Sequence, residues 1–95
     1  METPATPTQV MLFISKNSLY TEITLREFKT VIMELEKSQP FKAEIIDINE
    51  HPELAEKYKI EAIPTLIIGN KRFIGEPKAE DILRIVKEDT SLPST

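Results

Sequence analysis

The chain of 95 residues contains no cysteine. Disulfides, thiolate nucleophiles, cysteine-ligated zinc and iron–sulfur clusters are therefore excluded by arithmetic, and the redox compartment is left open. Only two glycines are present, Gly69 and Gly75, so there is no G-x-G-x-x-G or Walker-type loop to cradle a nucleotide phosphate. One histidine, His51, has no second histidine and no neighbouring base–nucleophile pair, which leaves a catalytic triad or histidine metal site without support. Apolar runs fall far short of the roughly 20 residues of a membrane span. Basic residues are outnumbered: a net charge of −4 gives no electrostatic footprint for nucleic acid or for an anionic membrane surface. The first residues, METPATPT, have neither a basic nor an apolar signal region, so a cytoplasmic protein is the expectation.

What remains is ordinary globular material. Hydrophobic residues make up 40% and charged residues 29%, enough for one compact core and too short a chain for two. Pro4, Pro7 and their small polar neighbours mark residues 1–8 as a disordered arm, and residues 90–95 (TSLPST) as a flexible tail, which places a single domain over 9–89. The acidic residues Glu50, Glu53, Glu56, Glu61, Glu76, Glu80 and Asp81 are dispersed in a pattern that suits helix starts and solvated faces, not a paired acid–base site.

Val10-Met11-Leu12-Phe13-Ile14 is a continuous apolar run, too short for a helix and suited to a strand buried on both faces. Leu25, Phe28, Val31, Ile32 and Leu35 then recur at spacings of three and four, which predicts an amphipathic helix ending near Ser38, ahead of Pro40. Phe41 to Ile48 alternates and then turns apolar, a second strand. Pro52 opens a short helix over 53–59, with His51 or Asn49 as its cap. Thr65 to Ile68 and Lys71 to Ile74 flank Gly69-Asn70, a hairpin with glycine first, as a type II′ turn prefers. After Gly75-Glu76-Pro77 comes a last helix with the stripe Ala79, Ile82, Leu83 and Val86. The order β-α-β-α-β-β-α implies an α/β fold of the thioredoxin-like kind, a four-stranded mixed sheet with helices on both faces.

In that fold the chemistry lies between the first strand and the first helix, where amide groups and the helix dipole activate a cysteine. Here Ser18-Leu19-Tyr20-Thr21 stands where a Cys-x-x-Cys pair would sit. A hydroxyl cannot replace a thiolate in disulfide exchange, so the redox reading fails on mechanism. Ser18 and Thr21 suit helix capping. Together with Lys16, Asn17, Leu19 and Tyr20 they also form a candidate contact surface for a protein partner. Ile63-Pro64-Thr65 is the second informative segment, since thioredoxin-like folds carry a cis proline just before this strand. Only about 5% of X–Pro bonds are cis in general, so that expectation rests wholly on the fold, and a trans proline that merely starts the strand is the alternative.

The stretches Ile46-Asp47-Ile48-Asn49-Glu50-His51-Pro52-Glu53-Leu54-Ala55-Glu56 and Tyr58-Lys59-Ile60-Glu61-Ala62-Ile63-Pro64-Thr65-Leu66 carry a family resemblance. They resemble the KaiB family of circadian clock proteins and the KaiB-like N-terminal sensor domain of the histidine kinase SasA. The likeness runs from about Met11 to Ile68, with Lys16-Asn17-Ser18 similar to the family's Gly-Asn-Thr. Beyond Ile68 a compact hairpin and short helix replace the family's longer proline-bearing segment. The resemblance implies a non-catalytic module docking onto a KaiC-like ATPase of the RecA type, with no cofactor. Relatives that switch fold rebuild their C-terminal half. This sequence is locally consistent with the thioredoxin-like state throughout, which predicts one dominant fold.

The leading functional reading is thus a protein-binding regulator acting through residues 16–21, with the hairpin edge Lys71 to Ile74 as a further surface. Lys71 and Arg72 also protect that edge from aggregation. Two alternatives belong to other classes. One is a redox-derived domain that lost its thiols and kept peptide or glutathione binding beside Pro64. The other is a sensor domain of a larger histidine kinase. A monomer is the expected state.

Overall fold

A computed structural model describes residues 8–19, 21–37, 40–75 and 78–91, the last helix's side chains being described as far as Val86. Seven elements follow in the order β1 (Thr8–Ile14), α1 (Thr21–Leu35), β2 (Phe41–Asp47), α2 (Pro52–Lys57), β3 (Thr65–Ile68), β4 (Lys71–Ile74) and α3 (Ala79–Ser91). The strands form one sheet in the order β2-β1-β3-β4. β1 and β2 run parallel, with Leu12 opposite Ile45, while β3 is antiparallel to both β1 and β4. This is the expected mixed α/β architecture.

β1 is buried on both sides because its alternate residues serve two different cores. Val10, Leu12 and Ile14 join Leu66 and Ile68 against Phe28, Val31 and Leu35 of α1 and Ala79, Ile82 and Val86 of α3. Met11 and Phe13 face the other way, joining Ile46 and Ile67 against Leu54, Tyr58 and Ile60 around α2. The Phe13 and Tyr58 rings sit tilted, with centroids 5.8 Å apart. A continuous apolar strand in the sequence is therefore a strand sandwiched between two helical layers.

Several boundaries differ from the sequence expectation, each for a local reason. Thr8 belongs to β1, paired with Phe41, and its N–H donates to the Pro40 carbonyl at 3.2 Å, so the arm assigned to residues 1–8 gives up its last residue to the sheet. At the other end α3 runs through Ser91, two residues into the stretch assigned to the tail. Residues 1–7 and 92–95 lie outside the described residues. α1 starts a full turn before Leu25, and Ser38 lies outside the described residues.

α2 occupies Pro52–Lys57, not 53–59, because it ends in a Schellman motif. The Ile60 N–H donates to Ala55 at 2.8 Å and the Lys59 N–H to Glu56 at 3.1 Å, with Lys59 itself at φ +56°. His51 is the N-cap by position, yet its side chain makes no capping bond; its Nδ1 lies 3.3 Å from Glu53 Oε2. Asn49 does not cap α2 either, being committed elsewhere. Arg72 of β4 closes the other end of α2, its guanidinium donating to the carbonyls of Tyr58 (2.8 Å) and Lys59 (3.2 Å). In the hairpin, Ile68 pairs with Lys71, and Gly69 has φ +59° while Asn70 does not share the positive φ, the sign pattern of a type II′ turn.

Candidate functional site

The loop from Ser15 to Thr21 leaves the C-terminal end of β1 and is held from three directions. Ser15 is buried, and its Oγ accepts bonds from the Asn17 N–H (3.3 Å) and from Asn49 Nδ2 (2.8 Å). Its carbonyl accepts from the Ser18 N–H at 3.0 Å and from the Thr21 hydroxyl at 2.6 Å. Asn49 is in turn oriented by the buried Asp47, whose Oδ1 accepts the Asn49 N–H at 2.9 Å. A chain of neutral and charge-assisted bonds thus ties the loop to the β2–α2 connection. Above it, Lys16 Nζ lies 3.2 Å from Glu50 Oε2, an exposed pair that adds little stability but spans the same two loops.

Thr21 is the first residue of α1 and donates its hydroxyl to Ser15, whereas capping would have had it accept from the first turn. Tyr20, which precedes the helix, lies outside the described residues. Leu19 projects from the held loop at 92% exposure, and Ile23 follows it one turn on, half exposed. Lys16 and Asn17 are exposed beside them.

Across from the loop, the Ile63–Pro64 peptide bond is cis. Pro64 is buried, and Thr65 donates its hydroxyl to the Ala62 carbonyl at 2.6 Å. Ser18, Thr21, Ile63 and Pro64 line one narrow crevice together with Ile14, Ser15 and Thr24. The structure therefore brings Ser18 and Thr21 to Pro64, while Lys16 is turned away toward Glu50. Sequence reasoning passed over Ser15 and Thr24. Thr24 carried a readable signal: it continues the spacing of Phe28, Val31 and Leu35 one turn earlier, so a polar residue falls on the buried stripe.

The crevice contains hydroxyls and hydrocarbon and no titratable side chain. No group of three or more histidine or acidic side chains is placed to hold a metal ion among the described residues. No helix among them is long and apolar enough to cross a membrane.

The model of the KaiB domain matches residues 11–87. This chain belongs to the KaiB domain family. The match continues through the hairpin and into α3, well past Ile68, where the resemblance read from individual residues stopped. A thioredoxin from Methanocaldococcus jannaschii is 35% identical over 63 residues, which cover 63% of this chain and 74% of that protein. Among solved structures, the N-terminal domain of Synechococcus elongatus SasA superposes with a TM-score of 0.70 at 20% identity, covering 93% of this chain and 87% of that one. Thioredoxin 1 from Thermosipho africanus gives 0.75 at 16% identity, covering 92% and 99%. The KaiB domain described here has the thioredoxin-like fold.

Proposed function

We propose that this KaiB domain is a non-catalytic regulatory module that docks onto a protein partner through residues 16–21, the partner being a KaiC-like ATPase of the RecA type. Family membership supports the clock-related class of partner. The observation that carries the docking surface is Leu19, 92% exposed on a loop that Ser15, Thr21 and Asn49 hold rigid. A leucine projecting from a backbone already held in place adds little backbone ordering cost when a partner covers it, the condition under which one side chain contributes strongly to affinity. Lys16, Asn17 and Ser18 supply polar contacts at its rim. The absence of thiols from the sequence supports binding in place of electron transfer. A cytoplasmic setting is part of the same proposal.

Calorimetric titration of the purified domain into the KaiC-like ATPase of its host tests this reading. Leu19→Ala is expected to weaken binding by at least about tenfold, as for a central interface anchor. Its melting temperature should stay unchanged, because the side chain is almost wholly in water. Undiminished binding by the variant would sink the loop assignment, and no binding by either protein would sink the ATPase as partner.

The placement of Pro64 against Ser18 and Thr21 favours a second reading, retention of a peptide or glutathione site. The crevice is too narrow for it, leaving no room for even a water-sized sphere, against the roughly 300 Å³ at which small-molecule pockets begin. Amide shifts at Ile63 and Thr65 on adding glutathione would favour that reading over the first.

A further inference from the structure

The edge of the sheet formed by β2 carries a self-complementary pattern. The Thr8 N–H donates to Pro40 and the Ile48 N–H to Ile14, so the even-numbered residues of β2 turn their backbone groups toward β1. By the alternation of a strand, Phe41, Ala43 and Ile45 turn theirs outward, away from the sheet. None of these groups has a strand beyond it, since β2 is an end strand. Ile45 is 53% exposed, on the same sheet face as Leu12, and Lys42 and Glu44 are exposed on the opposite face.

We propose that the β2 edge pairs with the β2 edge of a second copy of this chain, antiparallel about a two-fold axis at Ala43. Register decides this. Outward-facing residues must oppose outward-facing residues, so the axis can fall only on a residue of the strand, not between two. An axis at Lys42 sets lysine against lysine, and one at Glu44 sets glutamate against glutamate. The axis at Ala43 sets Lys42 against Glu44 twice, at the non-hydrogen-bonded positions where side chains approach most closely. On the other face it sets Phe41 against Ile45 twice, covering the exposed isoleucine. Ala43 meets Ala43 at the centre, where a small side chain admits close approach. An axis at Ile45 pairs no opposite charges and sets Ala43 against Asp47. The other end strand has no such pattern: β4 is Lys71-Arg72-Phe73-Ile74, with two bases and no acid.

The two copies form one continuous eight-stranded sheet by an isologous contact. Because the strands are antiparallel across the axis, the loops over 16–21 lie at opposite ends of the joined sheet. The contact is small, at or below the low end of the range for specific interfaces, under about 1,200 Å², so the association is weak and depends on concentration.

Sedimentation equilibrium of the full chain, carried to about 1 mM as suits a contact of this size, is expected to show the mass rising from one chain toward two. Lys42→Glu places like charges opposite each other at two symmetric positions, weakening the dimer by about tenfold or more. Combining it with Glu44→Lys restores the pairs with their signs exchanged and returns the affinity to within about threefold of the original. Ala43→Pro removes an outward N–H that the fold does not use, so it abolishes the dimer while far-UV circular dichroism and melting temperature stay close to those of the parent. A chain that remains monomeric, a dimer indifferent to Lys42→Glu and Ala43→Pro, or a charge exchange that fails to restore affinity would each overturn the proposal.

Discussion

Thr24 sets the sharpest test of the packing described above. The residue lies on the crevice side of α1, 6% exposed, and its Oγ1 is a buried side-chain oxygen with no hydrogen-bond partner among the described residues. An unsatisfied buried polar group costs about 1–3 kcal/mol, because its bonds to water are lost and nothing replaces them. Valine has the shape of threonine with a methyl in place of the hydroxyl, and the two have similar helix propensities. Thr24→Val therefore removes the penalty without opening a cavity. Taking the lower part of that range, since the crevice opens at the surface, the gain is about 1 kcal/mol. For a chain of this size that corresponds to a rise of about 4–8 °C in melting temperature. In urea, with a slope of about 1 kcal/mol per molar, the midpoint moves up by about 1 M. The sequence has no tryptophan, so circular dichroism at 222 nm is the probe. Thr24→Ser is the control, because it keeps the hydroxyl and removes a buried methyl; it should lose about 0.8 kcal/mol. A valine variant with an unchanged or lower midpoint would refute the reasoning by showing that the hydroxyl has a partner in solution.

Other positions give independent checks. Lys59 holds φ +56° at the end of α2, where a Cβ is strained, so Lys59→Gly should stabilise by about 0.5–1 kcal/mol in urea unfolding. Glu27 of α1 reaches across to α3, its Oε1 accepting the Ala79 N–H at 2.8 Å, a capping bond supplied by a different helix. Glu27→Ala should cost about 1–2 kcal/mol and Glu27→Gln, which keeps an acceptor but not the charge, about half as much, measured by the same denaturation.

The core was legible in the sequence where one residue type served one local purpose. Val10 to Ile14 announced a strand with two buried faces, the stripe through Phe28, Val31 and Leu35 announced α1, and Gly69-Asn70 announced the hairpin and its turn. Illegible features depend on what another element does. Phe41, Ala43 and Ile45 alternate as a buried face should, yet Ala43 and Ile45 are exposed, because α1 and α3 cover the sheet's centre and leave its β2 edge open. The end of α2 was hidden because a lysine occupies the position where glycine is the usual signal. The bonds from Glu27 to α3 and from Arg72 to α2 link residues 52 and 13–14 apart, beyond any local pattern. At the candidate site, the loop and its facing proline were visible from the order of elements. The brace beneath them, Ser15 with Asn49 and Asp47, was not, since small polar residues at strand ends look alike whether they are solvated or buried.

The reach of Arg72 has a consequence for which changes this chain can absorb. Surface loops ordinarily accept insertions at small entropic cost. The Gly69-Asn70 turn is different, because its two-residue length sets the register that puts Arg72 opposite Ile67 and its guanidinium at the end of α2. One added residue would turn every side chain of β4 to the opposite face. Phe73 would leave the core it shares with α1 and α3, and the carbonyls of Tyr58 and Lys59 would lose their donor. The segment that leads from α2 to Pro64 is thus measured out by the hairpin. Length variation among descendants of this sequence should spare this two-residue turn.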